Sequence, residues 1–332
     1  MSKQGIPTGK QKPKLRVGVV GVGYLGKFHA EKYARHAEVD LVGVVDTHPA
    51  QADAIAGQLG TKAYYSYSDL IGRVDAVSIA VPTESHYAVS RHFIDNQVHV
   101  LIEKPITASI EQADDLLQAA ENNGCIIQVG HLERFNPAVV ALQGVVHQPL
   151  FIESHRLSLF KERGLDVSVV LDLMIHDIDI ILNFVRCDVK SIHAAGVPVI
   201  TETVDIANAR MEFENGCIAN VTASRISMKN ERKIRLFQKD AYISVNFANR
   251  EITIVRHEGP TNQGIIPGMT VDQRSFSQAD ALDDEIQSFI KAVIEKKMPE
   301  VTGKMGRDAL NIALIIMDQI KRNSEKLMRL QR

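Results

Sequence analysis

The sequence predicts an α/β protein in which a doubly wound parallel sheet is followed by a second α/β domain with an open, mostly antiparallel sheet. At 332 residues the chain is longer than a single hydrophobic core usually supports, which favours two domains. Apolar runs rich in Val and Ile alternate with amphipathic segments up to about residue 130, as in consecutive βαβ units. Beyond that point β-rich runs follow one another with turns between them, which is typical of antiparallel strands.

Six apolar runs in the first half have the composition of strands that are covered on both faces. They are Arg16–Val20, Leu41–Val45, Lys62–Tyr65, Ala76–Val81, Val98–Ile102 and Cys125–Val129. Segments with apolar residues at helical spacing separate them, at Phe28–Arg35, Gln51–Leu59, His86–Asn96 and Ile110–Asn122. This number of strands completes a nucleotide-binding domain, which we place at residues 15–133.

The remaining residues, 134–332, are expected to form a substrate and oligomerisation domain. A long apolar helix is predicted over Val167–Val185. The β-rich runs after it are Val189–Ile200, Ala207–Phe213, Cys217–Ser224, Lys233–Phe237, Tyr242–Phe247 and Ile252–Val255. Helices near Ala279–Lys296 and Lys304–Leu330 close the chain, and the last is expected to pack back on the first domain. Because the β-rich runs offer more surface than these helices can cover, we expect a homodimer or homotetramer.

Composition and charge exclude several classes of function. The 38 Lys and Arg residues nearly balance 40 Asp and Glu residues, so no global field attracts nucleic acid or anionic lipid. Residues 1–14 are predicted to be a flexible basic tail, since they lack the apolar core of a signal peptide, and no apolar run is long enough to span a bilayer. Cys125, Cys187 and Cys217 are far apart, as expected in a reducing compartment. The sequence therefore predicts a cytoplasmic protein that binds neither nucleic acid nor membrane.

A glycine-rich GxGxxG motif links the first predicted strand to the first helix. Gly21 allows a tight turn, Gly23 lets the backbone approach a pyrophosphate, and Gly26 permits close packing of helix on strand. Asp46 ends the second strand twenty residues after Gly26, the spacing of a carboxylate that binds the adenosine ribose. That carboxylate would repel a 2′-phosphate, so NAD is expected rather than NADP; a flavin, or a plain glycine turn with a surface Asp, is the alternative. The motif residues expected at the cofactor are Gly21, Gly23, Tyr24, Leu25 and Gly26.

Charged residues follow the fifth predicted strand, at the sheet edge where ligands of open parallel sheets bind. Glu103, Lys104 and Pro105 occupy this position. A lysine there can hydrogen-bond a substrate hydroxyl and favour the alkoxide that develops as a hydride leaves. Pro105 would fix the turn and can adopt a cis peptide bond. The alternative is a solvated surface pair.

The fourth predicted strand ends in a similar polar segment with Pro82, Thr83 and His86. Pro82 would stop the strand, and Thr83 could cap a helix that begins near His86. The segment is expected to pass beneath the nicotinamide half of the cofactor. A plain strand-to-helix turn is the alternative.

The long apolar helix of the second domain carries polar residues on one face. Asp172, His176 and Asp179 lie at positions i, i+4 and i+7, and burying them without partners would be costly, so they should face a cleft. A histidine tuned by a carboxylate one turn away suits general base catalysis. A structural pair at a domain interface is an alternative. A metal site is another, but no further ligands at suitable spacing complete a set, so no metal is expected.

With these three motifs in this order, and His29 after the glycines, the chain resembles the glucose–fructose oxidoreductase, inositol dehydrogenase and rhizopine catabolism (Gfo/Idh/MocA) family. The resemblance implies a Rossmann domain, a second domain whose open sheet makes subunit contacts, and NAD(P)-dependent oxidation of a sugar or cyclitol hydroxyl. It further implies that Lys104 contacts the reacting hydroxyl, His176 takes or relays its proton, Asp172 orients that pair, and Glu103 holds the nicotinamide ribose. Met174 departs from the family, because many members have Gly there.

A second set of motifs resembles the branch of the family that acts on nucleotide-activated amino sugars. It comprises residues 130–137, the Asp172 helix, and the segment beginning at Ser224. The diphosphate of such a substrate needs cations, and the sugar needs polar partners. The candidates are Arg134, Asn136, Arg156, Asp179, Arg225 and Lys229, each of which could instead be structural or solvated. A free inositol or aldose dehydrogenase, or a dinucleotide-sensing regulator without turnover, is the alternative function.

Overall fold

The computed structural model describes residues 13–160, 167–257, 268–277 and 279–330, so most of the predicted basic tail lies outside it. The first half forms a six-stranded parallel sheet in the order β3-β2-β1-β4-β5-β6. Its strands are β1 (Leu15–Val20), β2 (Val39–Val45), β3 (Lys62–Tyr64), β4 (Ala76–Ile79), β5 (His99–Glu103) and β6 (Ile127–Gly130). This order reverses direction between β1 and β4, which confirms the predicted doubly wound sheet.

Four helices connect these strands and cover both faces of the sheet. They are α1 (Gly26–Arg35), α2 (Pro49–Leu59), α3 (Thr83–Asp95) and α4 (Ile110–Asn123), with a 3-10 turn at Tyr67–Leu70 before β4. Local chemistry sets their ends: Pro49 opens α2, and the Ser109 side chain accepts a hydrogen bond from Gln112 N at the start of α4. After β6, a 3-10 turn at Leu132–Phe135 and the short helix α5 (Pro137–Val140) lead into the second half.

The second half forms an eight-stranded sheet in the order β14-β13-β12-β11-β7-β10-β9-β8. Its strands are β7 (Phe151–Leu157), β8 (Val189–Val197), β9 (Ile206–Phe213), β10 (Ile218–Ser224), β11 (Glu231–Gln238), β12 (Ala241–Asn246), β13 (Glu251–His257) and β14 (Met269–Ser275). All neighbours are antiparallel except β7 and β10, which confirms a mostly antiparallel sheet.

Two strands of this sheet were not predicted. β7 lies at the centre, between β11 and β10, while β14 is an edge strand whose side chains are largely exposed and polar. An edge strand buries little surface, so its sequence carries no apolar alternation to detect.

The long helix predicted over Val167–Val185 has two parts. Val170–Met174 forms a π-helical turn, and α6 (Ile175–Val185) continues from it on the inner face of the second sheet. The apolar residues of α6 pack into a core with the inner-face residues of the sheet, such as Ile152, Val221 and Leu236. π-Turns are frequent at functional sites, and this one precedes His176.

The two closing helices, α7 (Ala281–Glu295) and α8 (Gly303–Leu330), connect the halves. α8 starts against the first sheet: Val129 N donates to Val301 O at 3.1 Å, and a Cβ at Gly306 would lie 2.6 Å from the Val129 side chain. Further along, Gln319 Nε2 donates to Ile192 O of β8 at 2.8 Å. α8 therefore contacts both sheets, through β6 and β8, and it also packs against α6. Within the described ranges, no helix is long and apolar enough to cross a membrane.

Candidate active site

The glycine motif forms a tight turn with open space above it. Gly21 has φ +82°, a conformation that favours glycine, and a Cβ there would lie 2.7 Å from the Ala80 carbonyl oxygen. A Cβ at Gly26 would collide with the Gly21 carbonyl oxygen, so this position requires close backbone packing. A Cβ at Gly23, in contrast, would meet nothing within 4 Å. These contacts fit a dinucleotide whose pyrophosphate approaches the backbone at Gly23.

An open cleft of about 510 Å³ adjoins this turn and is lined by Gly23, Tyr24, Lys27, Asp46, His48 and Gln51, among others. The Asp46 carboxylate accepts hydrogen bonds from Val22 N and His48 N, each at 3.0 Å. These bonds fix the carboxylate at the end of β2, where an adenosine ribose would lie. Tyr24 and Leu25 are exposed at the rim. The cleft therefore has the residues expected of the adenosine half of a dinucleotide site.

The segment after β4 differs from the prediction in two details. α3 begins at Thr83 itself, so Thr83 is inside the helix and Pro82 takes the N-cap position without a side-chain cap. His86 is buried, with its ring nitrogens 2.8 Å from Pro105 O and 2.9 Å from Val81 O. Burial lowers the pKa of His86, which favours the neutral ring. His86 thus lies between the ends of β4 and β5, and in the neutral ring its single N–H donates to one of these two backbone carbonyls.

Lys104 lies at the carboxyl edge of β5, where it meets the π-turn of the second domain. The peptide bond between Lys104 and Pro105 is cis. Lys104 Nζ donates to the backbone oxygen of Asp172 at 2.9 Å and is 3.5 Å from its Oδ1. Asp172 therefore partners Lys104, whereas Nδ1 of His176 has no hydrogen-bond partner among the described residues. The structure brings together Lys104 and Asp172, but it does not show Asp172 orienting His176.

A buried histidine, His131, and a half-buried one, His176, lie near the Lys104 ammonium. Burial, together with the charge of Lys104, lowers the pKa of His176 well below its ordinary value. Burial also lowers the pKa of His131, against the opposing effect of Asp179. Neither ring nitrogen of His131 has a partner in the part of the chain that is described. Both rings are therefore neutral at physiological pH and can accept a proton or a hydrogen bond.

Sequence reasoning did not single out His131 as a site residue. It directly follows β6, the strand beside β5, so it occupies the same sheet edge as Lys104. The rule used for Glu103 and Lys104, that polar residues at strand carboxyl ends line a ligand site, would have found it.

Glu103 belongs to a polar cluster inside the first domain, here called the Glu103 cluster: His29, Tyr33, Ser78, Glu103 and Glu285. His29 contacts Glu103 Oε1 at 3.0 Å through Nε2 and Ser78 Oγ at 3.2 Å through Nδ1, while Tyr33 OH lies 2.9 Å from the same Ser78 oxygen. Burial acts to raise the pKa of Glu103, but the His29 hydrogen bond and the nearby cations lower it overall. Glu103 is thus an ionised residue held by His29 beside Lys104.

Glu285 of α7 completes this cluster. Its side chain is fully buried, and neither carboxyl oxygen has a hydrogen-bond partner among the described residues. Atoms of His29, Glu103 and Glu285 that could bind a metal lie within 4.8 Å of one another. Burial, and secondarily the charge of Glu103, raises the pKa of Glu285 well above its usual range. The raised pKa favours the protonated form of Glu285 and so reduces the repulsion between the two carboxyl groups.

The arginines expected to meet a diphosphate lie in a second cluster, here called the Arg156 cluster: Glu133, Arg134, Arg156, Asp177 and Asp179. Arg156 donates to Asp177 Oδ1 at 2.7 Å through Nη2 and to Glu133 Oε1 at 3.0 Å through Nη1. Arg134 Nη1 is 3.5 Å from Asp179 Oδ1. Both arginines are nearly fully buried, so they hold α6 against the sheet and the turn before α5. Their cations are engaged by the protein's own carboxylates.

The other predicted substrate contacts have structural partners as well. Asn136 Oδ1 accepts a hydrogen bond from Ala138 N at 3.1 Å and so caps α5. Arg225 is buried and donates to Val167 O, while Lys229 pairs with Glu231 on the surface. Asp179 is buried with Arg134. The prediction that these residues contact substrate gains no support from their present partners.

Comparisons with known proteins agree with this geometry. A family described as "Oxidoreductase family, NAD-binding Rossmann fold" matches residues 15–131, and the GFO/IDH/MocA C-terminal domain matches residues 138–244. UDP-N-acetylglucosamine 3-dehydrogenase of Acidithiobacillus ferrooxidans is 38% identical over 301 residues, which cover 90% of this chain and 95% of that protein. A solved structure under the same name and organism aligns with a TM-score of 0.87 at 36% identity, covering 93% of this chain and 98% of the other.

A more distant relative is the NAD(+)-dependent scyllo-inositol 2-dehydrogenase of Bacillus subtilis, 27% identical over 314 residues, which cover 87% of this chain and 89% of that protein. This chain thus matches dehydrogenases along nearly its whole length. It also has the fold, the glycine motif and the lysine at the carboxyl end of β5 that are described above. The chain belongs to the GFO/IDH/MocA family of oxidoreductases, whose first domain is an NAD-binding Rossmann fold.

Proposed function

We propose that this protein is an NAD-dependent dehydrogenase that oxidises the C3 hydroxyl of UDP-N-acetylglucosamine. The main observation in support of this reaction is the hydrogen bond from Lys104 Nζ to the Asp172 carbonyl in the π-turn before His176. This contact lies at the carboxyl edge of the NAD-binding sheet. The similarity to UDP-N-acetylglucosamine 3-dehydrogenase supports the choice of substrate. The product would be a 3-keto nucleotide sugar, a suitable substrate for a transaminase in amino-sugar synthesis.

Each residue of the site has a distinct role in the reaction. When bound, NAD⁺ accepts the hydride from the sugar carbon. The Lys104 ammonium donates a hydrogen bond to the reacting hydroxyl and stabilises the negative charge that develops on its oxygen. His176, neutral because its pKa is lowered by burial, accepts the hydroxyl proton on a ring nitrogen. Glu103, held by His29, keeps Lys104 at the edge of the cofactor site and offers a carboxylate to the nicotinamide ribose.

The assignment is tested by following NADH absorbance with a panel of UDP-sugars, myo-inositol and glucose. UDP-N-acetylglucosamine should give the highest kcat/KM. If a free cyclitol or aldose is turned over far better than every UDP-sugar, the protein is an inositol or aldose dehydrogenase instead. Tight NAD binding without turnover of any hydroxyl compound would identify a dinucleotide sensor.

The preference for NAD over NADP follows from Asp46. Its carboxylate is held by hydrogen bonds from Val22 N and His48 N at the end of β2, and a carboxylate beside the adenosine ribose would repel a 2′-phosphate. In the same assay NADP⁺ should therefore give a much lower kcat/KM than NAD⁺. Equal use of both cofactors would show that Asp46 does not select between them.

We also infer a homodimer or homotetramer formed through the outer face of the eight-stranded sheet. On this face Phe151, Phe237 and Tyr242 form a row of aromatic rings with centroids 5.9 and 5.1 Å apart, while the helices pack on the inner face. An open sheet with partly exposed aromatic residues is suited to covering by a second copy. Light scattering at micromolar concentration should give at least twice the chain mass of 36.8 kDa, and a monomer would contradict the inference.

A cytoplasmic location is proposed on the state of the cysteines. Cys125, Cys187 and Cys217 are all free thiols in the structure. Unpaired cysteines are typical of reducing compartments. Cell fractionation should recover the protein with cytoplasmic markers, and recovery outside the cytoplasm would refute the proposal.

A further inference from the structure

Arg232, which sequence reasoning did not select, lies at the opening of the inner face of the second sheet. On the antiparallel pair of β11 and β7, Arg232 is directly opposite Arg156. Opposed residues of an antiparallel pair project to the same face, and Arg156 is buried on the inner face beneath α6. Arg232 therefore projects to the same side of the sheet as the catalytic helix.

The burial along β11 shows where this face opens. Ile234 and Leu236, two and four residues further along the same face, are fully buried. The Arg232 side chain is 55% exposed. The covered core thus ends between Ile234 and Arg232, so the guanidinium lies at the exposed rim of this face and not within the core.

The charge of Arg232 reaches the candidate catalytic centre. It is one of the cations, after Lys104 and Arg156, that lower the pKa of His176, although burial is the largest cause of that shift. The guanidinium is attached to the rim by one contact, from Nη1 to Glu133 Oε1 at 3.3 Å. That oxygen also accepts the shorter bond from Arg156 Nη1, at 3.0 Å. Arg232 is consequently the weaker of the two partners of Glu133.

Arg232 has free donors at an exposed position, whereas the arginines of the Arg156 cluster are buried. Among the described residues, no hydrogen bond occupies its Nε or Nη2. Arg134 and Arg156 are each 3% exposed and are held by Asp179 and Asp177. A guanidinium fixed at one corner and open at the other presents two parallel N–H groups, the geometry that suits two oxygens of a phosphate.

We propose that Arg232 binds the diphosphate of the nucleotide-sugar substrate and so selects nucleotide-linked over free sugars. The inference rests on the proposed function, in which the sugar ring reaches Lys104 and His176 while the diphosphate extends toward the cleft rim. Glu133 fixes the direction of the guanidinium and is itself kept in place by Arg156. Arg232 is thus a specificity residue, separate from the groups that act on the reacting hydroxyl.

The test compares Arg232→Gln and Arg232→Lys with Arg235→Gln. Arg235 is on the outer face of the same strand, pairs with Glu153, and provides a control for loss of one positive charge from β11. Arg232→Gln should raise KM for UDP-N-acetylglucosamine and the inhibition constant of UDP by about ten- to a hundred-fold, because one charge-assisted contact is lost. The KM for NAD⁺ should stay unchanged. Arg232→Lys keeps the charge but lacks the planar guanidinium, so its KM for UDP-N-acetylglucosamine should lie between those of wild type and Arg232→Gln. The KM of Arg235→Gln should match that of wild type.

Each outcome separates the inference from the proposed function. If wild type oxidises UDP-N-acetylglucosamine and Arg232→Gln shows unchanged KM and UDP inhibition, the inference is overturned and the function stands. If wild type does not oxidise any UDP-sugar, the proposed function fails, and calorimetric titration with UDP alone decides the inference. UDP binding that is weakened by Arg232→Gln but not by Arg235→Gln supports the inference, while no UDP binding to wild type refutes it. An equal rise in KM for NAD⁺ would indicate a general structural defect and would also count against it.

Discussion

The two polar clusters beside Lys104 are both buried, yet they differ in charge balance. In the Arg156 cluster together with Arg232, three arginines face the three carboxylates of Glu133, Asp177 and Asp179. In the Glu103 cluster two carboxyl groups, Glu103 and Glu285, face the single imidazole of His29. Charges that match can all stay ionised, whereas an excess of carboxyl groups forces one to hold a proton.

This difference suggests a division of roles across the site. The Arg156 cluster is a set of fixed ion pairs that ties α6 to the sheet, so it stabilises the frame on which His176 lies. In the Glu103 cluster, the raised pKa of Glu285 favours the neutral acid, while the lowered pKa of Glu103 favours the carboxylate. The cluster also positions Glu103, the residue that directly precedes Lys104. Lys104 lies where the two halves meet, since its ammonium reaches the Asp172 carbonyl of the second domain.

The largest expected effect is on kcat and comes from removing the Lys104 ammonium, which lies where the two halves meet. Lys104→Ala should lower kcat by about 10²- to 10⁴-fold, because both the hydrogen bond to the reacting hydroxyl and the stabilising charge are lost. NAD binding, measured by fluorescence titration, should be retained because the glycine turn and Asp46 are untouched. Lys104→Arg should recover part of the activity. An unchanged kcat in Lys104→Ala would remove Lys104 from the mechanism.

The second prediction concerns the Arg156 cluster, in which positive and negative charges balance. Arg156→Met leaves Asp177 buried without its cation, so the free energy of unfolding should fall by about 3–5 kcal/mol. Urea denaturation measures this change. The control is Arg235→Met, which breaks the partly exposed pair with Glu153 and should cost only about 0–1 kcal/mol. Equal, small losses in both variants would show that the Arg156 cluster does not stabilise the fold through its ion pairs.

The third prediction, whose effect is the smallest per pH unit, concerns the pH dependence of stability that the Glu103 cluster causes. The pKa of Glu285 is raised in the folded protein, so its contribution to stability is complete below the pKa of the unfolded chain and is lost as the pH rises toward the folded pKa. Glu285→Gln replaces the neutral acid with an amide that does not titrate. Relative to the variant, wild type should therefore lose up to about 1.4 kcal/mol of unfolding free energy per pH unit above about pH 5.

Urea denaturation of both proteins from about pH 5 to about pH 8 provides the measurement. A constant difference between wild type and Glu285→Gln would mean that Glu285 takes up no extra proton on folding. The two clusters would then differ in composition but not in protonation.

Much of the fold follows from local pattern. Alternating apolar runs and helical segments predicted β1 to β6 and their order of helices, because strands covered on both faces and amphipathic helices have distinct periodicities. The same approach missed β14, whose side chains are exposed, and β7, whose parallel pairing with β10 depends on residues far away in the chain. Long-range pairing of this kind leaves no mark in a single segment.

The site was predictable to a similar extent. The placement of Gly21, Asp46 and Lys104 at a turn and at strand ends was predicted, because turn geometry and strand ends impose local requirements on residue type. The salt bridges of Arg134 and Arg156 were not predicted, because a sequence does not show which carboxylate meets which cation. Asp177 and Asp179 become their partners only when α6 packs on the sheet.

The sequence by itself determined the NAD-binding turn, the carboxylate at the end of β2, and the lysine at the strand end, since each depends on neighbours in the chain. The tertiary structure decided which charges are available. Burial and pairing hold Arg156 and Arg134 in salt bridges, raise the pKa of Glu285, and leave the Arg232 side chain half-exposed. The physical reason is that the energy of a charge depends on its distance from other charges and from water, and both distances are set by folding.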